Sequence, residues 1–468
     1  MIVQFATQAY QSHSLPVAAQ RLVNAHAEQQ PPDAKTQVAV FGSPGISQFA
    51  NTGTGPIRGM RVMDGVLYVL SGTQLYRVTS AGVSTELGGA ISGSGVVSMS
   101  DNGSQLVIVN GTTGHVYSVA SGFQRITDTN FLAAKTVTFI DQFFAFDRTG
   151  EDQWFISNVS DGSAYTSTDI TTAESNPDTA MAVINHRQTV LVFCEHSTEV
   201  YQNAGAANFP FLRAPGGTID RGLAGSYALC KEDNTVFWLG DDWVFYRLDG
   251  VTPKRLSTHA LEHEWQNYST VSDAFCFSYP FDGHKFVAIT FPTANKTFVF
   301  DIATGLWHER ESWDQNNSSL GRWRINCAVQ AYNQLFVGDA FTGKIGYFNN
   351  TVETEFGSII RLVMTSPPIH RDRKTLHMPS FEIDLESGVG TASGQGLDPQ
   401  AMMDYSDDGG RTFNGPEQWA AIGATGAYTT RVRWTQLGSF RNRIMRLTVS
   451  DPVRRGIIAA HANLVEGM

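Results

Sequence analysis

Three stretches of the chain carry residue types that can do chemistry. His259-Ala260-Leu261-Glu262-His263 sets two imidazoles four residues apart around a carboxylate. On a helix that H-x-x-E-H spacing offers two zinc ligands on one face, with a general base beside them. No convincing third ligand follows in a second helix, so a solvated helix between repeats is the reading adopted, with Ser257 or Thr258 as its N-cap. Ser406-Asp407-Asp408-Gly409-Gly410-Arg411-Thr412-Phe413 has the S-x-D-x-G-x-T-F form of an Asp-box. Asp408 there can accept hydrogen bonds from the loop backbone and Gly410 supplies a permissive torsion, so the box is a structural hairpin turn. The carboxylates Asp241, Asp242, Glu311 and Asp314 leave a glycosidase pair open, although exposed acids in turns are the commoner account. The sequence has no Walker loop, nucleophile elbow, CxxC pair or dinucleotide fingerprint. No catalytic, cofactor-binding or metal-binding residue is expected, and the chain reads as a non-enzyme.

A second kind of site is electrostatic. Arg431, Arg433, Arg441, Arg443, Arg446, Arg454 and Arg455 concentrate near the end of the chain, with Asp451 as the one acid among them. In the stretch from Thr429 to Gln436, period two sets Val432 and Trp434 on one face and Arg431 and Arg433 on the other. Arg441 and Arg443 share a face at the start of the next strand and should mark its solvated end. Arg431, Arg433, Arg441 and Arg443 are therefore the candidate docking residues, because the guanidinium fork suits carboxylates on a neighbouring subunit. An ordinary charged sheet face is the alternative.

The elements that must hold these residues are strands. Charged residues make up only 16% of the 468, against 42% hydrophobic residues and 44 glycines. That is the composition of a folded, turn-rich β protein too long for one ordinary core. No apolar run reaches membrane-span length and no signal peptide is read at the start. A net charge of −11 argues against tight nucleic-acid binding over the whole surface. Cys194, Cys230, Cys276 and Cys327 fall in successive units and read as buried thiols of a protein made in a reducing cytoplasm.

The unit itself is clearest from Gly225 to Ser257. Residues 226–230 form a first strand, Val236-Phe237-Trp238-Leu239 an apolar second, Trp243 to Leu248 a third and Pro253 to Leu256 a polar fourth. Trp238, Trp243, Phe245 and Tyr246 are expected in the core. A four-stranded blade with buried inner strands and a polar outer edge fits that order. It recurs from about Arg58, Val97, Val137, Met181 and Asp273, with a shorter match over 325–348. The fold class expected is all-β: a β-propeller of six blades, or seven if 325–348 completes one, followed by a β-sandwich-like domain. The domains read as an arm over 1–36, the propeller over 37–352 and an assembly domain over 353–468. Gln37 to Phe41 is the candidate strand for closing the ring.

Ala173-Glu174-Ser175-Asn176-Pro177-Asp178 and the run from Met181 to Gly205 resemble the packaged DNA stabilization proteins of short-tailed bacteriophages, also called tail hub or nozzle proteins. Arg221 to Tyr227, Asn24 with Glu28, Phe41 to Gly45 and the ending Leu437 to Val453 fit the same family. The resemblance implies a structural virion protein made in the host cytoplasm. Six copies would form a ring below the portal and the head-tail adaptor, extending the DNA channel. The ring would carry the needle or plug and meet tail fibres or spikes, while DNA passes without sequence-specific binding. No cofactor or membrane anchor is implied. The alternative, from another class, is a propeller enzyme or binding module acting on host cell-surface glycans.

Overall fold

Tight turns set the rhythm of the first domain. Asp64-Gly65, Asp233-Asn234 and Asp282-Gly283 all hold positive φ, the geometry that matches hairpin twist. Each folds an inner strand back against a second, and repetition of this step builds radial sheets. The computed structural model describes residues 1–468 except 1, 4, 6, 174–177, 207–208, 316, 414–416 and 468. The Glu174–Pro177 part of the family-like stretch thus lies outside the described residues.

Five separate four-stranded sheets occupy residues 57–89, 98–125, 137–172, 180–219 and 229–255, each ordered as in the sequence. A sixth blade spans Phe275–Phe281, His284–Phe291, Lys296–Asp301 and Trp307–Asp314. The segment 325–348 does complete a blade: Ile325–Ala331, Gln334–Asp339 and Lys344–Asn349 are joined by Gly45–Asn51 as the outer strand. Seven inner strands consequently surround the axis, the count that follows when 325–348 completes a blade. The ring is closed by Gly45–Asn51 and not by Gln37 to Phe41. Val38–Gly42 instead pairs with Ala25–Gln29 and with Gly456–Ile457 in the second domain. Both are short strand-like segments beside the Gly42-Ser43-Pro44-Gly45 turn. Only the side chains across the gap decide between them: Ile345 stands opposite Ala50 and Phe348 opposite Ile46.

Blade interiors are filled by aromatics that reach between neighbouring sheets. Trp238 is 1% exposed and meets Phe193 of the preceding blade at 5.4 Å between ring centroids. Trp265, Trp307 and Phe298 close the next interface. Trp243 departs from expectation. The third strand of its blade begins at Phe245, and Trp243 sits in the turn before it, 38% exposed with φ of 61°. Of the cysteines, Cys194 is buried, while Cys230, Cys276 and Cys327 are half-buried on inner strands facing the axial tunnel. Burial pushes their thiols up, Cys327 to about 12.

The second domain is a two-sheet sandwich. One sheet orders Val432–Thr435, Leu376–Leu385, Gly456–Glu466, Val38–Gly42 and Ala25–Gln29. The other carries Leu22–Val23, Leu362–Thr365, Asn442–Val449, Gln400–Ser406 and Gln418–Ala421. Phe381, Trp434, Met378, Met445 and Leu447 fill the space between. Within residues 1–36, Ile2–Val3, Leu22–Val23 and Ala25–Gln29 pair into these sheets, while Tyr10–Gln11 and Ala19–Gln20 pair with each other in a separate hairpin. Leu22–Val23 also links the two domains, pairing in parallel with Trp307–Asp314 of the sixth blade and antiparallel with Leu362–Thr365.

Charge-assisted bonds seal that joint. Arg21 grips Glu309 through Nε at 3.0 Å and Nη2 at 2.6 Å, the bidentate geometry that suits guanidinium and carboxylate. Asn24 donates to the carbonyls of Glu311 and Arg361 and accepts from the Glu311 N–H. The Glu311 carboxylate takes Arg361 at 2.8 and 3.2 Å. Glu311 is thus a joint residue, its carboxylate held by Arg361.

Candidate functional site

The arginine-bearing end of the sandwich was the candidate, and the chain largely neutralises it from within. Arg431 meets Glu382 through Nε at 2.7 Å and Nη2 at 2.6 Å across the neighbouring strand. That pair lies on the solvent face, and the hydrogen bond from Arg431 holds the Glu382 carboxyl below its usual range. Arg446 takes Asp404, Arg454 takes Glu386 and Arg455 takes Glu353. None of these acids lies in the arginine-rich stretch, so a linear reading could not pair them. Strand register does it: Asp404 stands opposite Arg446 in the ladder.

Arg443 requires a correction. It is 2% exposed, not solvated. Its guanidinium lies 3.7 Å from the Tyr405 ring centre and 4.4 Å from that of Phe440, and Nε and Nη2 each reach Asp407 at 2.7 Å. Nη1 donates to the Leu437 carbonyl. A planar cation between two rings, with a carboxylate at its end, is a stable burial mode for arginine. Val432 and Trp434 are buried while Arg431 and Arg433 point outward. Arg433 and Arg441 are exposed, and neither makes a salt bridge among the described residues. Both flank the edge formed by Val432–Thr435 and Ser439–Phe440 along Leu376–Leu385. Arg433 stands opposite Glu382 and shares its field with Arg431, so the edge keeps one unmatched positive charge there and another at Arg441.

The Asp-box is a turn clamp. Asp408 accepts from the Arg411 N–H at 2.9 Å, the Thr412 N–H at 3.0 Å and the Thr412 hydroxyl at 2.6 Å, and Ser406 donates to it at 2.7 Å. These bonds, those from Thr412 foremost, hold its carboxyl well below the usual carboxylate range. A side chain at Gly409 would collide with Pro16, and one at Gly410 with Ala19. The box therefore grips the N-terminal hairpin that pairs Tyr10–Gln11 with Ala19–Gln20.

The H-x-x-E-H helix spans His259–Gln266, capped by Thr258. Glu262 is buried and turned inward, accepting from Arg255 Nε at 2.8 Å and from the Ser257 hydroxyl at 2.6 Å. His259 is exposed and lies against Arg255, while His263 faces His13, ring centres 5.8 Å apart. No group of three potential ligands that could hold a metal occurs among the described residues. The axial tunnel encloses about 470 Å³ between the seven inner strands. Such a space holds a small molecule at most. Its one fully buried arginine, Arg58, is spent on the carbonyls of Gly72, Ile91, Ser92 and Gly95. A tyrosine–carboxylate pair of the sialidase kind does occur away from the axis: Tyr201 donates to Glu199 at 2.5 Å. Both are buried in strand Thr198–Asn203, and burial raises the phenol pKa, the wrong direction for a nucleophile.

The fold is a propeller joined to a sandwich through a shared strand, with most of the sandwich arginines held in internal ion pairs. The family follows from the sequence comparisons. The family model described as bacteriophage P22 Gp10, beta-propeller, matches residues 10–353, and that described as bacteriophage P22 Gp10, beta-sandwich, matches 361–465. The chain belongs to this family. It is 24% identical over 431 residues to the tail hub protein gp10 of Salmonella phage P22, covering 84% of this chain and 86% of that one. Solved structures are more distant. The computationally designed Ika8 protein is 12% identical with a TM-score of 0.38, covering 70% of this chain and 100% of its own. PorZ of Porphyromonas gingivalis is 10% identical with a TM-score of 0.37, covering 72% of this chain and 44% of its own.

Proposed function

We propose that this chain is a tail hub subunit of a short-tailed phage. Copies form a ring, six in number, below the portal and its adaptor, where they extend the DNA channel and help retain packaged DNA. The observation that carries this reading is the match to a tail hub protein across both domains. Three physical features support it. The tunnel within one propeller is far too small for a duplex, so a conduit has to lie between copies. The turns joining first and second strands, all on one propeller face, carry Asp64, Asp141, Asp233 and Asp282 with Arg187, and beside them Arg61 pairs with Asp101 and Lys285 with Asp233. A face left weakly acidic by these pairs offers phosphates little net attraction and little salt-sensitive affinity. Lastly, Arg433 and Arg441 remain unpaired on an edge where an adaptor or a second copy can supply carboxylates.

In this reading the subunit is made in the host cytoplasm, joins the virion after packaging, and meets the needle or plug and the fibres or spikes at its far end. Cryo-electron microscopy of the virion tests the placement. A ring of propeller-shaped subunits below the adaptor is expected. Density for the chain only at a fibre tip or receptor-binding site would reject it.

A further inference from the structure

Trp243 occupies a conformation that its own fold does not reward. Gly240 N–H donates to the Val244 carbonyl at 2.8 Å and Trp243 N–H to the Gly240 carbonyl at 2.9 Å, closing a tight turn between two strands of the fifth blade. The turn holds Trp243 at φ 61°, the left-handed region that glycine enters freely and a bulky residue does not. In return the indole joins none of the buried clusters and makes no ring contact among the described residues. A strained backbone presenting an exposed aromatic is a signature of a binding position.

The surroundings are built and acidic. Asp241 accepts the Gly222 N–H at 3.0 Å and faces His196 Nδ1 at 3.1 Å, and its hydrogen bond raises the imidazole pKa. Asp242 accepts the Tyr246 hydroxyl at 2.7 Å, while Arg221 donates to the same hydroxyl at 3.1 Å. Glu195 and Asp220, in the turns beside them, are exposed. Turns of the fourth and fifth blades thus gather four carboxylates beside one tryptophan, Asp242 among them paired with Arg221, so the patch stays net acidic.

We infer that this Trp243 patch is one half of a head-to-tail contact between copies of the chain, seating Arg433 and Arg441 from the sandwich edge of the next copy. The charges are complementary, and arginine beside tryptophan between carboxylates is a favoured interface core. The two patches lie on different domains. A contact between unlike surfaces of successive copies is heterologous and closes into a ring when the rotation permits. This inference rests on the hub reading and assigns it a surface.

Sedimentation velocity of the purified full chain at increasing concentration tests it. Trp243→Gly relieves the turn and keeps the fold, with association about thirtyfold weaker. Glu195→Lys with Asp220→Lys, both exposed, should weaken association as strongly, as should Arg433→Glu with Arg441→Glu. Mixing the lysine and glutamate double variants should restore mixed association. A wild-type chain that stays monomeric throughout, unchanged association in Trp243→Gly, or a mixture that stays dissociated would each overturn the contact. Loss of host-glycan binding in Trp243→Gly with association intact would overturn it as well. Virions that incorporate Trp243→Gly in full rings would remove the contact while leaving the hub reading in place.

Discussion

Acid should open the joint between propeller and sandwich, and His26 sets the magnitude. It lies on Ala25–Gln29 in the sandwich sheet, 5% exposed, and its ring meets His284 at 5.2 Å, Phe286 at 5.4 Å and His308 at 6.4 Å from the sixth blade. Phe41 covers its other side. Asp301 is bonded to His284 at 2.8 Å and so does not compensate His26 directly. Burial above all, then repulsion from His284 and Arg310, lowers the His26 pKa to about 4 from 6.5. The unfolded chain therefore binds the extra proton between these values. Stability is full above pH 6.5 and falls as pH drops toward 4, by about 3 kcal/mol in total and about 2 kcal/mol at pH 5. Urea unfolding followed by tryptophan fluorescence at pH 7.5, 6, 5 and 4.5 measures this loss. His26→Phe, which keeps a ring among rings, should remove its share of the slope while changing little at pH 7.5. Parallel pH profiles for wild type and His26→Phe down to pH 4.5 would refute the reasoning.

Other substitutions separate structural from docking charges. Arg443→Ala should cost about 2 kcal/mol in urea unfolding, because it empties a ring-lined slot and strips Asp407 of its partner. Arg433→Ala should change stability by less than about 0.5 kcal/mol; a cost like that of Arg443→Ala would mean a structural role. Glu355→Gln should destabilise by about 3 kcal/mol, since buried Arg310, Trp323 and Ser312 all depend on that carboxylate. Asp408→Ala should speed hydrogen exchange over 406–413 and in the Tyr10–Gln20 hairpin, and exchange confined to the box would show that it does not hold the hairpin.

Much of the fold can be read from period and turn chemistry. Asp-Gly turns and apolar runs mark the blades, and alternation places Val432 and Trp434 inward correctly. Pairings between distant segments cannot be read that way. Gly45–Asn51 and Gln37 to Phe41 are adjacent strand-like segments on either side of one turn, and tertiary packing assigns one to the propeller and the other to the sandwich. The same limit governs the site. Asp407, which buries Arg443, is 36 residues away in sequence, and Glu382, which occupies Arg431, is 49 residues away. A linear count of charge overstates the basic patch for that reason. Hydrophobicity alone places Trp243 in a strand, whereas the Gly240-Asp241-Asp242 turn extends through it and the strand begins at Phe245.

Retention of packaged DNA by particles made without this chain is the most direct test of the central claim. Encapsidated DNA, scored as nuclease-protected genomes over time after lysis, should reach wild-type levels at first and then fall. Purified chain added before the loss should stop it. Particles that keep their genomes indefinitely and fail only to adsorb to the host would contradict the account.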